Sequence, residues 1–309
     1  MQKFVNFLEN NLSGPMARLS EQRHLQAIRD GVISALPFII VGSFFLILAF
    51  PPLPDAGIFG DIKQWAADNN VEILIPYRLT MFIMSLYIAF GIGYNLSKSY
   101  KLDPLSGAQI SVAALLLTIT PKVMDGEGWV LPMTNLGGHG LFVAMVVSIL
   151  AVEILRFCKT KNITIKMPEQ VPASVSRSFE ALIPVAIVIL LVSSVTVLAG
   201  VDLHHLVGVA VAPLVTAGDS IFGVLVPVFL IDFFWSFGIH GVSVVGTVAR
   251  PLWEVFLVNN ADAVASGGTI PHIAPETFYQ WFIWIGGSGA TLGLVLAMVF
   301  FSRSKYLKA

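Results

Sequence analysis

Apolar residues run through this chain in stretches long enough to cross a membrane, and polar residues collect in the gaps between them. Charge-free runs occupy residues 31–54, 104–121, 136–152 and 181–201. An α-helix needs roughly 17–25 such residues to span the hydrocarbon core, so each run predicts a spanning helix. Further runs at about 79–97, 221–239, 241–258 and 277–301 carry one or two ionisable groups each. The pattern predicts an all-α polytopic membrane protein of about eight spans.

The gaps are as informative as the runs. Residues 156–180, "RFCKTKNITIKMPEQVPASVSRSFE", form the longest polar stretch and divide the chain into segments 1–170 and 171–309. Within it, "VPASVSRSFEALIP" mixes small, apolar and basic residues, which predicts an amphipathic connector along the membrane surface. Phe4, Phe7, Leu8 and Leu12 share one helical face, fitting either an interfacial helix over 4–19 or a packing helix. Residues 201–220 are too interrupted for a confident span and read as a second connector or a short embedded piece. The loop "PPLPDAGIFGDIKQWAADNNVEILIP" offers turn prolines but no grouping of catalytic or ligating side chains.

Composition supports a membrane protein, with 56% hydrophobic and 12% charged residues where soluble domains carry about 25% charged. The net charge of −1 conceals a strong sorting by side. Fourteen of the eighteen Lys and Arg residues fall in segments that alternating spans place on one side: Lys3, Arg18, Arg23, Arg29, Lys98, Lys101, Arg156, Lys159, Lys161, Lys166, Arg177, Arg303, Lys305 and Lys308. Only Lys63, Arg78 and Lys122 fall opposite, and the positive-inside rule therefore places both termini in the cytoplasm. The first thirty residues lack the compact apolar core of a cleavable signal. Cys158 has no partner for an internal disulfide and reads as inert.

Candidate chemistry centres on "FFWSFGIHGVSVVGTVAR", residues 233–250. Gly238 and Gly241 bracket Ile239 and His240, and such a glycine pair weakens a helix where a polar group appears. Broken helices are tolerated at membrane depth where they are buried in protein or line a cavity, so His240 is the leading candidate for a ligand contact. Trp235 offers a flat apolar face suited to a sugar ring. The bland alternatives are a histidine bonded between helices and a tryptophan anchored at the interface. Arg250 is a second candidate, with an ion pair to Glu254 four residues on as its structural explanation. Gly286 to Ser288 in "GGSGATLGL" are weaker candidates, since Gly289 and Gly293 have helix-packing spacing. Asp232, His139 and the adjacent His204 and His205 fit packing roles; no zinc-ligand spacing, nucleotide loop or nucleic-acid motif stands out, and no cofactor is expected.

Taken in order, "VPASVSRSFEALIP", "FGIHG" and "GGSGATLGL" resemble the sugar permease subunit, enzyme IIC, of bacterial phosphotransferase systems, in the lactose, cellobiose and diacetylchitobiose branch. The resemblance implies a homodimer, an N-terminal dimerising part, a C-terminal sugar-holding part with re-entrant hairpins, and surrounding lipid. It also implies a disaccharide substrate and a separate phosphorylated IIB protein whose phosphocysteine donates to a sugar hydroxyl. The family histidine corresponds to His240, where it orients that hydroxyl; Trp235, Gly238, Arg250 and Ser288 complete the expected substrate contacts. Two departures matter: the family pattern continues into an Asn-Glu-Pro triplet whose glutamate works with the histidine, which residues 1–309 do not contain, and Cys158 has no phosphocysteine motif around it, so the donor is expected on another chain. On that resemblance the second half is C-terminally incomplete, and these residues alone are expected not to transport. Other readings of the same residues are an ion-coupled carrier of a polar solute and a nontransporting sugar sensor.

Overall fold

The computed structural model describes residue 18 and residues 21–168, 170–236, 240–285, 287–288 and 291–304. Most of the helix expected over 4–19 lies outside the described residues, as does Gly238. Helix α1 (Arg23–Ala49) starts where the Gln22 side chain accepts the Leu25 N–H, satisfying one of the donors that a helix start leaves open. Helix α2 (Gly57–Asp68) and two short turns lead into α3 (Met84–Ser99). Asp103 caps α4 (Pro104–Leu116) by accepting the Ser106 N–H, and Pro104 at the first turn has no N–H to leave unsatisfied. An antiparallel hairpin pairs β1 (Lys122–Met124) with β2 (Gly128–Val130), and helix α5 (Leu141–Thr160) follows.

The second half begins with α6 (Ala173–Ser193), which continues as a π-helix over Ser194–Leu198. The surface connector expected at 171–184 is therefore the first half of one continuous helix. Two ion pairs hold its polar start: Arg177 Nε lies 3.4 Å from Asp103 Oδ1, and Lys159 pairs with Glu180. Next come α7 (Leu203–Gly218), capped by Asp202 on the His205 N–H, then α8 (Ile221–Ser236), α9 (Gly241–Ala265) and α10 (Leu292–Phe301). The segment between α9 and α10 holds a short helical turn, Glu276–Phe278, and a π-turn, Tyr279–Ile283.

Among the described residues, five helical stretches are long and apolar enough to cross a membrane: Arg23–Ala49, Asn70–Ser99, Gly138–Thr160, Ser174–Leu198 and Gly241–Ala265. The pair α7 and α8 makes a sixth if its 76° bend belongs to one broken span. The all-α membrane class holds, whereas the described residues do not form eight uninterrupted spanning helices. The 104–121 run yields only the 13 helical residues of α4, ending before Pro121. The 277–301 run breaks at Gly287, whose φ of +114° is a left-handed conformation that interrupts any helix.

Small residues set the packing of the first half, because dispersion between closely approaching backbones is the main attraction available inside lipid. Gly31 of α1 meets Gly91 of α3, and Gly93 of α3 meets Gly107 of α4. Val32, Ala35, Ile88 and Ile92 close over the first contact. A second apolar cluster joins Ile110, Leu115, Ala144 and Val147 to Val188 and Val192 of α6. A third, smaller cluster gathers Ile231, Trp253, Ala274 and Tyr279. Apolar residues also cover the outside, as at Ile40, Phe44 and Ile47 of α1, which is the surface a lipid-facing helix needs.

Helices α1, α6, α7, α8 and α9 each contain an interior proline. A proline leaves the carbonyl four residues earlier without its helical donor. For Pro227 that carbonyl belongs to Gly223, and the Tyr279 hydroxyl donates to it at 3.4 Å. Helix α8 is thereby tied to the segment preceding α10.

Candidate functional site

His240 is the N-cap of α9. Its Nδ1 accepts the backbone N–H of Ser243 at 3.1 Å, with Ser243 Oγ 2.8 Å away. A backbone N–H only donates, so Nδ1 presents its lone pair and the proton of the neutral ring sits on Nε2. Nε2 then donates to Ser288 Oγ at 3.1 Å. The capping bond thus fixes the tautomer, and His240 offers a donor to whatever replaces Ser288.

Trp235, in the last turn of α8, places its ring 5.1 Å from the imidazole centroid at a 53° tilt. The structure therefore brings together Trp235, His240 and Ser288. Arg250 reaches the same region from α9: with Arg29, Asp30 and Ile33 of α1, and with Ser243 and Gly246, it lines a cavity of about 330 Å³ beside His240.

Arg250 does not pair with the neighbour four residues on. Its Nη2 lies 3.6 Å from Glu276 Oε1, on the segment before α10, and both side chains are mostly buried. Glu254 is 0% exposed, and neither carboxylate oxygen has a hydrogen-bond partner among the described residues. Beside it, Trp253 stacks on Tyr279 at 4.0 Å and meets Trp284 edge-on at 5.9 Å, so an aromatic wall holds the Glu276 segment against α9.

Three residues of this region escaped the sequence reading, and Arg29 entered it only as a basic anchor. Asp30 follows it directly, and its Oδ1 accepts from Arg29 Nε at 2.9 Å. Ser243 lies three residues after His240, the spacing of a cap bond. Glu276, an acid in the apolar setting "IAPETF", was the visible signal for a buried partner.

The other polar candidates are structural. His204 Nε2 sits 2.8 Å from Thr118 Oγ1, while Asp202 caps the backbone of His205. His139 lies in a single turn, Gly138–Gly140, and Asp232 is exposed. Tyr77 donates to Asp262 Oδ1 at 2.6 Å, joining the start of the α3 span to the far end of α9. Cys158 is buried in α5. Among the described residues, no group of three or more His, Cys, Asp or Glu side chains is placed to hold a metal ion.

Comparison with known proteins adds an independent line. The family model described as "Phosphotransferase system, EIIC" matches residues 29–309. The PTS system cellobiose-specific EIIC component of Geobacillus stearothermophilus is 38% identical over 328 residues, covering 100% of this chain and 72% of that protein. The lichenan permease IIC component of Bacillus subtilis (strain 168) is 38% identical over 324 residues, covering 100% and 71%. Among solved structures, the transporter ChbC, the IIC component from the N,N'-diacetylchitobiose-specific phosphotransferase system, superposes with a TM-score of 0.87 at 37% identity over 98% of this chain and 73% of that one.

Proposed function

The chain belongs to the EIIC family of the phosphotransferase system, and from that premise we propose that it carries a β-linked disaccharide, of the cellobiose or diacetylchitobiose kind, inward across the plasma membrane while a separate phosphorylated IIB protein phosphorylates it. The observation that carries this reading is the Trp235, His240 and Ser288 group. An indole face accepts the apolar face of a pyranose, and a histidine with its proton fixed on Nε2 donates to a hydroxyl oxygen. Ser288 holds the place of that hydroxyl. Bound sugar takes over the Nε2–H bond, which aims one hydroxyl lone pair away from the ring and toward the incoming phosphorus. In this tautomer His240 orients the nucleophile and does not take its proton. Orientation is the larger part of phosphoryl transfer, where the protein forms no covalent bond of its own.

The proposed topology keeps eight crossings, with short or broken helices serving for some of them and both termini cytoplasmic. The distribution of basic residues supports it. On that topology the cavity lined by Arg29 and His240 lies in the cytoplasmic half, and Asp262, which bonds Tyr77 near the far end of α9, lies toward the outside. Segment 1–170 is proposed to form a homodimer contact and 171–309 the sugar-holding part.

His240→Ala is expected to weaken cellobiose binding about tenfold, the lower end of the roughly 1–3 kcal/mol that an unpaired hydroxyl costs. Intrinsic tryptophan fluorescence reads this directly, because Trp235 adjoins the imidazole. An unchanged affinity in a well-folded variant removes His240 from the contact set.

The function itself is tested by titrating purified protein with cellobiose, diacetylchitobiose, lactose and sucrose. Phosphorylated IIB protein is then added to vesicles in which the family's Asn-Glu-Pro segment is also present. Binding of the β-linked sugars and sugar phosphate formed only with IIB are expected. Accumulation of unmodified sugar that collapses with the proton gradient overturns the reading.

A further inference from the structure

A neutral disaccharide does not account for the charges in the cavity beside His240. Two guanidiniums, Arg29 and Arg250, line that space of about 330 Å³ together with the imidazole. Arg29 is half-buried, and its only described bond runs from Nε to Asp30 Oδ1 at 2.9 Å. Both of its Nη groups are without a partner among the described residues. Asp30 therefore fixes the plane of the guanidinium and leaves its paired terminal donors uncommitted. Arg250 differs in that one of its terminal nitrogens, Nη2, already faces Glu276 Oε1 at 3.6 Å, so it assists mainly by its charge.

A planar fork with two free terminal nitrogens matches two oxygens of a phosphoryl group better than it matches scattered sugar hydroxyls. The geometry points to Arg29, assisted by Arg250, as the cradle for the phosphoryl group on its way from the IIB phosphocysteine to the sugar hydroxyl. This rests on the permease reading above and adds to it the residues that hold the transferred group. In the step, the sugar oxygen forms a bond to phosphorus as the sulfur–phosphorus bond breaks. The hydroxyl proton passes through cavity water to the departing thiolate, so that disaccharide and phosphocysteine become sugar phosphate and cysteine thiol. Arg29 donates to the equatorial oxygens throughout, where the charge is spread.

The position on the chain agrees with this role. Arg29 lies in the second turn of α1, at the end that the positive-inside rule assigns to the cytoplasm, where a IIB protein waits. The balance of charge agrees as well. Each guanidinium is matched by one carboxylate, Asp30 or Glu276, so the cavity offers directed donors without a large net positive field. A permease that must release a dianionic product has no use for a trap.

The test compares cellobiose, phosphocellobiose and inorganic phosphate as probes of purified wild-type protein and of Arg29→Gln and Arg29→Lys. In Arg29→Gln the dissociation constant for cellobiose is expected to stay within about threefold, while that for phosphocellobiose rises about tenfold or more, the loss of one charge-assisted bidentate contact. Arg29→Lys, a point charge without the fork, is expected to fall between the two and serves if the glutamine variant does not fold. In vesicles with phosphorylated IIB and the Asn-Glu-Pro segment also present, the maximal rate of sugar phosphate formation is expected to fall about a hundredfold with the sugar KM unchanged. Equal losses for cellobiose and phosphocellobiose make Arg29 a sugar contact and overturn the proposal. So does a wild-type protein that binds phosphocellobiose no better than its glutamine variant. Failure of the permease reading is distinct, since it appears as absent IIB-dependent transfer while the binding comparison stands without IIB.

Discussion

Replacing Gly91 by valine is expected to leave little folded protein that survives detergent extraction. Gly91 faces Gly31 across the closest approach of α1 and α3, and a Cβ there would lie 2.9 Å from the Gly31 Cα and 3.0 Å from its carbonyl oxygen, besides striking the Ser34 hydroxyl. The obstacle is mainly backbone, which no rotamer change removes. Valine adds two further carbons, so the helices must part. Overpacking a soft core costs about 1–3 kcal/mol, and parting two helices strips Val32, Ile88 and Ile92 of their contacts as well. The expected loss is several kcal/mol, on the order of a whole domain's stability margin. Fluorescence-detected size exclusion after heating measures it. A valine variant with wild-type thermal stability would show that α1 and α3 do not pack as described.

The second large effect is expected at Arg250, for an electrostatic reason. Arg250→Met removes the cation beside Glu276 and leaves two buried carboxyl groups, Glu276 and Glu254, within an apolar wall. Removing one partner of a buried pair typically costs about 3–5 kcal/mol, because the survivor stays buried and unpaired. The double variant Arg250→Met, Glu276→Gln is expected to recover much of the loss, which separates charge from packing. Thermal unfolding of the purified single and double variants in one detergent provides the comparison. A single variant as stable as wild type, or a double variant no better than the single, would mean that the pair does not hold the segment in place.

These two sites show what was legible in the sequence. The apolar runs gave the helical class and most of the long helices, since length and hydropathy are local properties, but not the breaks within 277–301, the helix over Gly57–Asp68 or the helical start of α6. His240 and Trp235 stood out as candidates because a polar residue, a glycine pair and an aromatic face coincide in one short stretch, whereas Ser288 was a weaker candidate and its contact with His240 came from the structure. What escaped depends on contacts between distant segments. Arg250 has two acids within reach of a guess, and the local one, Glu254, looked better than Glu276 because helical spacing is visible and tertiary distance is not. Arg29 looked like a membrane-edge anchor, for the sign of its charge says nothing about which cavity its side chain lines. The bend between α7 and α8 is similar: Asp219 at the corner reaches His272, 3.3 Å away and beyond α9, so the turn is fixed by residues that had no neighbour in the one-dimensional pattern.

The pairing of Arg250 with Glu276 also sets a schedule for the making of the protein. Of the five long apolar stretches, α9 is the least hydrophobic and the most enclosed by other parts of the chain. It carries Arg250 and Glu254, while Glu276 lies well beyond its last residue. A ribosome adding about 5–20 residues per second delivers that partner only after an interval on the order of seconds. During it, α9 must wait in the translocon or beside α8 with its charges unmatched. Whatever shelters nascent helices in the membrane is therefore needed most at this point of synthesis, and a pause placed just after α9 would expose the chain at its most vulnerable moment.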